Sequence, residues 1–405
     1  MVKQLIVIVL VLSGSTAFAQ NTKDDKQSLE RIKASVSYLA DDKLEGRRTG
    51  TAGEKLASEY ISQQFKKAGL TGLGSNGTYL QAFPVKNDSS GRTGHNVIGY
   101  IDNKAANTIV LGAHYDHLGY GEDKNSMYRG EGKQIHNGAD DNASGTSALI
   151  ELGYWLKKST LKKYNYILVA FSGEELGLFG SKYFADNSPI ATSSINYMIN
   201  MDMVGRLNDS THSLSIGGFG TSPVWSELIN KEDKNFKIKI DSSGTGPSDH
   251  TSFYLKDIPV LFFFTGTHTD YHKPGDDADK INYNGIVQIT SYIKNLLTAT
   301  NDKDKIAFTK TREVHSGMRS SFKVTLGVML DYTFSGPGIY VDAVTEDRPA
   351  HKAGVEAKDI ILQLGDHPLS DVQAYMKALS TFEKGVTTTM KVKRGDKELM
   401  LPVTF

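Results

Sequence analysis

Four separate runs of apolar and β-branched residues constrain this fold more than any other feature of the sequence. The clearest run, Tyr166 to Phe171, is apolar or aromatic throughout, which is typical of a strand buried on both faces of a sheet. Helical patterns separate the runs along the chain. The alternation therefore predicts an α/β fold with a mixed, mostly parallel sheet flanked by helices. The other three runs are 108–113, 195–201 and 258–264.

Three of these strands end at or within a few residues of a side chain that can bind a metal ion, and the fourth leads into a loop that carries histidines. In open α/β sheets, ligands bind beyond the carboxyl ends of the strands. We therefore expect the side chains at the strand ends, together with a carboxylate that precedes one of the helices, to converge on one rim of the sheet. These side chains are His114, Asp140, Glu175, Asp202 and His272.

The segment from His136 to Gly145 places two adjacent carboxylates, Asp140 and Asp141, just before a helical pattern. Adjacent anionic side chains repel each other, so a fold keeps them if they are solvated or if a cation neutralises them. A solvated turn that caps the helix is one interpretation. The spacing from Asp140 to Glu151 also fits a calcium-binding EF-hand loop, but the glycine-rich segment 128–132 does not favour the helix that must precede such a loop.

The candidate ligands match the chemistry of a catalytic zinc site. The chain contains no cysteine, so histidine and carboxylate side chains must hold any metal ion. One shared carboxylate suits a pair of divalent ions about 3.5–4 Å apart, an arrangement that is used in hydrolysis. In the pair Glu174-Glu175, one carboxylate can bind metal while its neighbour takes the proton of a bound water molecule.

Residues 1–19 have the pattern of a signal peptide. Lys3 precedes an apolar run at 5–12, and Ala17-Phe18-Ala19 fits a cleavage site. The run is too short to span a bilayer, so we expect export to the periplasm or the cell exterior and no membrane span in the mature chain. Lys plus Arg and Asp plus Glu both number 46, so no overall charge favours nucleic acid as a partner.

The length of 405 residues predicts two domains. We expect the first over 20–300, a polar linker over 301–319, and a small strand-rich domain over 320–405. Near the N-terminus, two helical patterns flank the glycine-rich loop 44–53. This loop is interpreted as a connection, and a share in the site is the less favoured alternative.

Five motifs together resemble the M28 family of zinc aminopeptidases. They occur in the order found in that family, and with the loop at 44–53 the resemblance covers about 25–300. Any one of them alone would be a weak signal. The motifs are Gly112-Ala113-His114-Tyr115-Asp116-His117, Gly138 to Gly145, Gly173-Glu174-Glu175, Met201-Asp202 and Tyr271-His272-Lys273-Pro274.

The resemblance implies two zinc ions, although other divalent metals would suit the same ligands. It assigns His114 and Asp202 to one ion, and Glu175 and His272 to the other. Asp140 would bridge the two ions. These assignments rest on position within the family motifs, and they agree with the ligand types expected from the residues alone.

The same resemblance implies the catalytic roles. Glu174 would act first as general base and then as general acid, and Asp116 would orient His114. The family also often has a strained peptide bond, which would join the residues at 140 and 141. His117 and His268 fall outside the family pattern, so we interpret them as neighbours of the site. Asp249 and His250 lie in a Ser-Asp-His-Thr segment that resembles one near the substrate pocket.

The C-terminal domain resembles a PDZ domain. Its carboxylate-binding loop would be Leu326-Gly327-Val328-Met329, which departs from the usual Gly-Leu-Gly-Phe. The segments 353–355 and 359–361 and the helical pattern at 371–379 follow in the familiar order. The resemblance implies that this domain binds peptide C-termini.

Together these features predict an exported two-zinc aminopeptidase that acts on peptides. Two alternatives remain. The first is an acyltransferase similar to glutaminyl cyclases, which uses a related zinc site without hydrolysis. The second is a non-catalytic scaffold that binds peptides through the C-terminal domain, although the intact set of ligands argues against it.

Overall fold

A computed structural model describes residues 24–85, 91–123, 125–128, 130–230, 232–311, 324–330, 336–344, 347–370 and 372–405. The predicted signal peptide and the second half of the predicted linker lie outside these ranges. Among the described residues, no helix combines the length and hydropathy that crossing a bilayer requires.

The first domain is built on a sheet of nine strands among the described residues, ordered β1-β3-β5-β4-β6-β9-β7-β8, with β2 also paired to β3. The predicted mixed sheet is confirmed. Its centre, β5-β4-β6-β9, is parallel, whereas the pairings of β3 and the β7–β9 pairing are antiparallel. The strands are β1 (Thr71–Gly72), β2 (Leu80–Pro84), β3 (Thr93–Ile101), β4 (Thr108–His114), β5 (Asn165–Phe171), β6 (Ile195–Met201), β7 (Ser213–Gly217), β8 (Lys237–Ile240) and β9 (Val260–Phe264).

Helices cover both faces of this sheet. Residues 24–39 form α1. The other helices of the domain are α2 (Ala52–Ala68), α3 (Gly145–Lys158), α4 (Phe179–Asp186), α5 (Val224–Leu228), α6 (His250–Tyr254) and α7 (Tyr283–Thr300).

Strand β4 shows why the centre of the sheet is apolar at every position. Ile109 and Leu111 pack in the core formed with α1, α2, α3 and α7. Val110, which points to the other face, packs with Phe184 of α4 and Phe253 of α6. Because alternate side chains of a strand face opposite sides, a strand covered on both faces must be apolar throughout.

The segment after α7 differs from the expected linker. Residues 301–311 lie against the first domain: Ile306 is buried, Phe308 packs on the ring of Tyr254, and the backbone N–H of Thr309 donates to the carbonyl oxygen of Thr221. Two further hydrogen bonds join Thr311 to Tyr254 and Gly244. We call residues 305–311 the strap. The expectation of a linker rested on the polar run at 300–305 and on the lack of an apolar period after 309, and it overlooked Ile306 and Phe308.

The C-terminal domain has its own apolar core and a sheet whose strand pairs are all antiparallel among the described residues. The residues described in this domain include the helices α8 (Pro349–Lys352) and α9 (Val372–Leu379). Its strands are β10 (Val328–Leu330), β11 (Ile339–Val344), β12 (Ile360–Leu364), β13 (His367–Pro368), β14 (Thr387–Arg394) and β15 (Lys397–Thr404).

Candidate functional site

His114 and Asp202 meet at the carboxyl edge of the sheet. Strands β4 and β6 are parallel neighbours, so the last residue of β4 lies beside the residue that follows β6. Nε2 of His114 lies 3.2 Å from Oδ1 of Asp202 and 3.3 Å from Oδ1 of Asp141. These three buried side chains can hold one metal ion, since their ligand atoms all lie within 4.8 Å of one another.

A second group of potential ligands shares Asp141. Nε2 of His272 lies 3.3 Å from Oδ2 of Asp141 and 3.2 Å from Oε2 of Glu175. His117 approaches the same carboxylates, with its Nδ1 atom 2.8 Å from Oε1 of Glu175. Asp141, Glu175 and His117 form the second set of ligand atoms that lie within 4.8 Å of one another. The two groups therefore meet at one carboxylate.

The prediction that Asp140 bridges the two groups is wrong, because Asp141 occupies that position. Oδ1 of Asp140 instead accepts hydrogen bonds from the backbone N–H of Gly205 at 2.6 Å and the hydroxyl group of Ser144 at 3.0 Å. Its other oxygen faces His268. Because neighbouring residues of the turn point in different directions, sequence position alone could not show which of the two aspartates faces both groups of potential ligands. The cis peptide bond joins Asp141 to Asn142, one residue later than expected.

Asp276, which the sequence did not single out, holds the turn that carries Asp141. One of its carboxylate oxygens accepts the backbone N–H groups of both Asp140 and Asp141, each at 3.0 Å. Its carbonyl oxygen accepts the N–H of Ala139. Asp276 lies in the loop that carries His272, so the segments that carry Asp141 and His272 are joined directly.

Glu174 lies beside His114 of the first group and directly precedes Glu175 of the second. Its Oε2 atom is 4.0 Å from Nε2 of His114. Burial raises the pKa of Glu174 well above its usual range; the nearby His114 opposes this shift, and the carboxylates of Glu175 and Asp202 add to it. Divalent cations would favour the ionised form. A carboxylate placed in this way suits proton transfer.

Asp116 lies beside His114 and also contacts other groups. Its Oδ1 atom is 3.7 Å from Nδ1 of His114, whereas the backbone oxygen of Asp116 is closer, at 3.2 Å. The backbone oxygen is thus the nearer partner of the imidazole. The carboxylate accepts hydrogen bonds from the hydroxyl group of Thr49 at 3.0 Å and the backbone N–H of Glu174 at 3.2 Å.

The Ser-Asp-His segment reaches the site through its serine. The hydroxyl group of Ser248 donates a 2.8 Å hydrogen bond to Oδ2 of Asp202 and accepts one from the side chain of Asn200. Asp249 is buried, and burial raises its pKa to about 7. The ring of His250 stacks on Phe262, and burial lowers the pKa of this histidine to about 3.

The predicted peptide-binding loop of the C-terminal domain is only partly described. Leu326 is buried, and its carbonyl oxygen accepts the backbone N–H of Ala350. Gly327 has a φ of 73°, where a Cβ atom would also meet the side chain of Arg348. Val328 begins β10, and the side chain of Met329 lies outside the described residues.

The site has the chemistry of a metal centre. Carboxylates outnumber cations at this buried edge of the sheet, and three carboxylates lie about 3 Å from imidazole nitrogens. Such a set is stable when divalent cations neutralise it. Nδ1 of His272 lies 3.0 Å from the backbone oxygen of Asn125, a partner of the kind that fixes a metal-binding imidazole.

Comparisons with known proteins identify both domains. The model of peptidase family M28 matches residues 96–297, and that of the PDZ domain matches residues 306–404. Leupeptin-inactivating enzyme 1 of Streptomyces exfoliatus is 30% identical over 281 residues, which is 66% of this chain and 56% of that protein. Aminopeptidase YwaD of Bacillus subtilis is 28% identical over 204 residues, 47% of this chain and 41% of that protein. The chain thus spans about half the length of these relatives.

Solved structures confirm the fold. A Zn-dependent exopeptidase from Parabacteroides distasonis superposes with a TM-score of 0.55 at 18% identity, over 68% of this chain and 98% of that chain. The glutaminyl cyclase of Porphyromonas gingivalis superposes with a TM-score of 0.54 at 17% identity, over 67% of this chain and 98% of that chain. The predicted α/β fold with a mixed sheet flanked by helices is therefore confirmed, as is the C-terminal PDZ domain.

Proposed function

Because this chain carries a domain of peptidase family M28 followed by a PDZ domain, we propose that it is a metal-dependent aminopeptidase that removes N-terminal residues from peptides. One observation carries the proposal. Asp141 joins two groups of potential ligands, and Glu174 lies beside them without belonging to either group. Water held between two cations needs such a carboxylate to receive its proton.

We assign one zinc ion to His114, Asp202 and Asp141, and a second to Asp141, Glu175 and His272. The nitrogen and oxygen ligands suit zinc, and other divalent ions would fit the same set. Zinc bound there would supply a water molecule of lowered pKa and would polarise the carbonyl group of the scissile bond.

His272 is favoured over His117 as a ligand of the second ion. Its Nε2 atom lies within 3.3 Å of carboxylate oxygens of both Asp141 and Glu175. His117 approaches Glu175 closely, but its Nδ1 atom is 3.9 Å from Asp141. In our assignment His117 holds the carboxylate of Glu175 in place.

Glu174 is the residue that moves protons in this proposal. Its carboxylate receives a proton from the attacking water and returns it to the amine that leaves when the peptide bond breaks. The hydrogen bond from its backbone N–H to Asp116 fixes the start of the segment that carries both Glu174 and Glu175. The two adjacent glutamates thus have separate tasks, one in proton transfer and one in metal binding.

The decisive experiment compares three kinds of substrate on the purified protein. We expect free N-terminal residues to be released from a panel of aminoacyl reporters, with loss of activity on chelation and recovery on addition of zinc. A peptide with an acetylated N-terminus should remain intact. Cyclisation of an N-terminal glutaminyl peptide without hydrolysis of the panel would instead identify an acyltransferase. No turnover of any substrate by zinc-loaded protein would indicate a binding scaffold.

We also propose that the protein acts after export, with its PDZ domain gathering peptide substrates. The N-terminal pattern supports export, and cell fractionation would test it by detecting a mature chain that lacks residues 1–19 in the periplasm or the medium. A PDZ domain binds extended peptides mainly through backbone pairing, which suits a hydrolase that accepts varied sequences.

A further inference from the structure

Arg47, in the glycine-rich loop 44–53, is a fully buried arginine whose guanidinium group donates only to backbone carbonyl groups among the described residues. Nε donates to Tyr115 at 2.7 Å, and Nη1 donates to Asn137 at 2.6 Å. Nη1 also donates to Leu39, and Nη2 donates to Gly138 at 3.0 Å. The side chain therefore joins three segments of the chain.

Two of those segments supply the candidate metal ligands. Tyr115 lies between His114 and Asp116, and Gly138 lies three residues before Asp141. Burial lowers the pKa of Arg47 to about 10, so the group stays charged at neutral pH. A buried charge is costly unless it is well hydrogen-bonded, and an arginine has five N–H groups in a fixed plane. This geometry lets one side chain hold several carbonyl groups at once.

The backbone of the same loop also packs between these segments. The N–H of His117 donates to the carbonyl oxygen of Arg47, and that of Gly119 donates to Gly46. Gly46 has a φ of 68°, and a Cβ atom there would lie 2.5 Å from the carbonyl oxygen of His136. The loop fits closely against the chain that carries His114 and the chain that leads to Asp141.

Thr49 is connected to Glu174 through Asp116. It is buried, and its hydroxyl group donates a 3.0 Å hydrogen bond to Oδ2 of Asp116. The other oxygen of Asp116 accepts the backbone N–H of Glu174 at 3.2 Å. A chain of contacts thus runs from the loop through Asp116 to the residue that we assign as the proton carrier.

We propose that Arg47 and Thr49 are positioning residues of the metal centre. Arg47 fixes the spacing between the segments that carry His114 and Asp141, and Thr49 fixes Asp116 and through it Glu174. This inference rests on the proposed function. It gives the loop 44–53 a role in metal affinity and in turnover, where the sequence favoured a simple connection.

The test for Arg47 separates metal positioning from general stability. We expect Arg47→Lys, which keeps the charge but loses the planar set of donors, to weaken zinc binding about 10–100-fold in competition with a chelator, as substitutions beside metal ligands do. The rise in melting temperature on adding zinc should shrink. Arg31→Lys is the control, because Arg31 forms an ion pair with Glu151. Its melting temperature should fall, but the increase in melting temperature on adding zinc should stay the same.

The substitution Thr49→Val provides a second test, because it removes the hydroxyl group with little change in the shape of the side chain. We expect Thr49→Val to lower kcat about tenfold or more while leaving KM nearly unchanged, with Thr49→Ser restoring activity, since it keeps the hydroxyl group. The visible spectrum of the cobalt-substituted protein should change little, because Asp116 is not assigned as a ligand. Thr290→Val is the matched control, since Thr290 is buried and bonds to its own helix.

Three outcomes would overturn the inference. Normal zinc affinity in Arg47→Lys would show that Arg47 does not position the metal ligands. A fall in the melting temperature of this variant that is equal with and without zinc would show that Arg47 only stabilises the fold. Normal kcat in Thr49→Val would remove the role of Thr49. If the unmodified protein gained no thermal stability from zinc, the proposed metal centre itself would fail, a result distinct from the other three.

Discussion

Oδ1 of Asp141 lies 3.3 Å from Nε2 of His114. The other oxygen of the same carboxylate lies 3.3 Å from Nε2 of His272. A single side chain therefore faces a histidine from each of the two groups of ligands. This relationship makes Asp141 the residue whose replacement should affect both of the metal ions that we propose.

We expect Asp141→Asn to reduce zinc content below two ions per chain and to lower activity about 100-fold or more, since an amide is a poor bridge between cations. Asp140→Asn is the matched control. Its remaining oxygen can still accept the hydrogen bonds from Gly205 and Ser144, so zinc content should stay normal. Elemental analysis of both purified proteins measures the difference. Normal zinc content in Asp141→Asn together with reduced zinc content in Asp140→Asn would instead assign the bridging role to Asp140.

Glu174 and Glu175 should respond differently to the same substitution. We expect Glu174→Gln to keep both zinc ions and the fold while losing about 10²–10⁴-fold in kcat, the usual contribution of a general acid–base group. Glu175→Gln should instead lose zinc. Steady-state kinetics and metal analysis on the same samples test this pair. Near-normal turnover by Glu174→Gln would show that another group carries the proton.

Ser248 should tune zinc binding through Asp202. Its hydroxyl group donates a 2.8 Å hydrogen bond to the carboxylate, so Ser248→Ala removes a partner that orients a ligand. We expect zinc affinity to fall about 10-fold or more. Ser226→Ala is a suitable control because the hydroxyl group of Ser226 bonds to Pro223 at the surface. Equal zinc affinities in the two variants would exclude this role for Ser248.

Because the strap packs on the first domain, we expect two truncated chains to differ in stability. A chain that ends at Thr311 should keep the stability of the first domain, whereas one that ends at Asn301 loses the burial of Ile306 and the packing of Phe308. Removal of a buried isoleucine typically costs about 2–5 kcal/mol, so the midpoint of urea unfolding should fall clearly. Ile306→Ala tests the same contact in the full chain, with Lys310→Ala as an exposed control. Equal midpoints for the two truncations would mean that the strap does not stabilise the domain.

The truncation at Thr311 also tests the PDZ domain. We expect it to hydrolyse a small aminoacyl reporter normally and to show a raised KM for longer peptides, because it lacks the surface proposed to bind them. Comparison of the two substrates at equal enzyme concentration measures this effect. Equal loss on both would show that the PDZ domain supports the structure of the catalytic domain.

The convergence of the candidate ligands could be predicted because strand ends meet at one edge of an α/β sheet. His114, Asp202 and His272 lie together as expected, since their positions follow from sheet topology. The choice between Asp140 and Asp141 depends on the turn held by Asp276, which is more than 130 residues away in sequence. No local pattern contains that information.

Two other features escaped prediction for a related reason. The contacts of Arg47 join it to Tyr115 and Gly138, 68 and 91 residues away, and their acceptors are carbonyl groups that every residue carries. The strap likewise uses backbone atoms, since the N–H groups of Ile306, Thr309 and Thr311 donate to the first domain, and its few apolar side chains form no period. Sequence patterns report side-chain burial, and they say little about interactions made by the main chain.

The position of Arg47 has a practical consequence for the preparation of fragments. The segment that matches peptidase family M28 begins at residue 96 and contains every candidate metal ligand. A fragment cut at that boundary would lose Arg47 and Thr49, together with the helices α1 and α2, whose apolar residues belong to the main core. The shortest fragment that we expect to fold and bind zinc like the whole protein therefore spans 24–311, which is about 40% longer than the segment that matches the family.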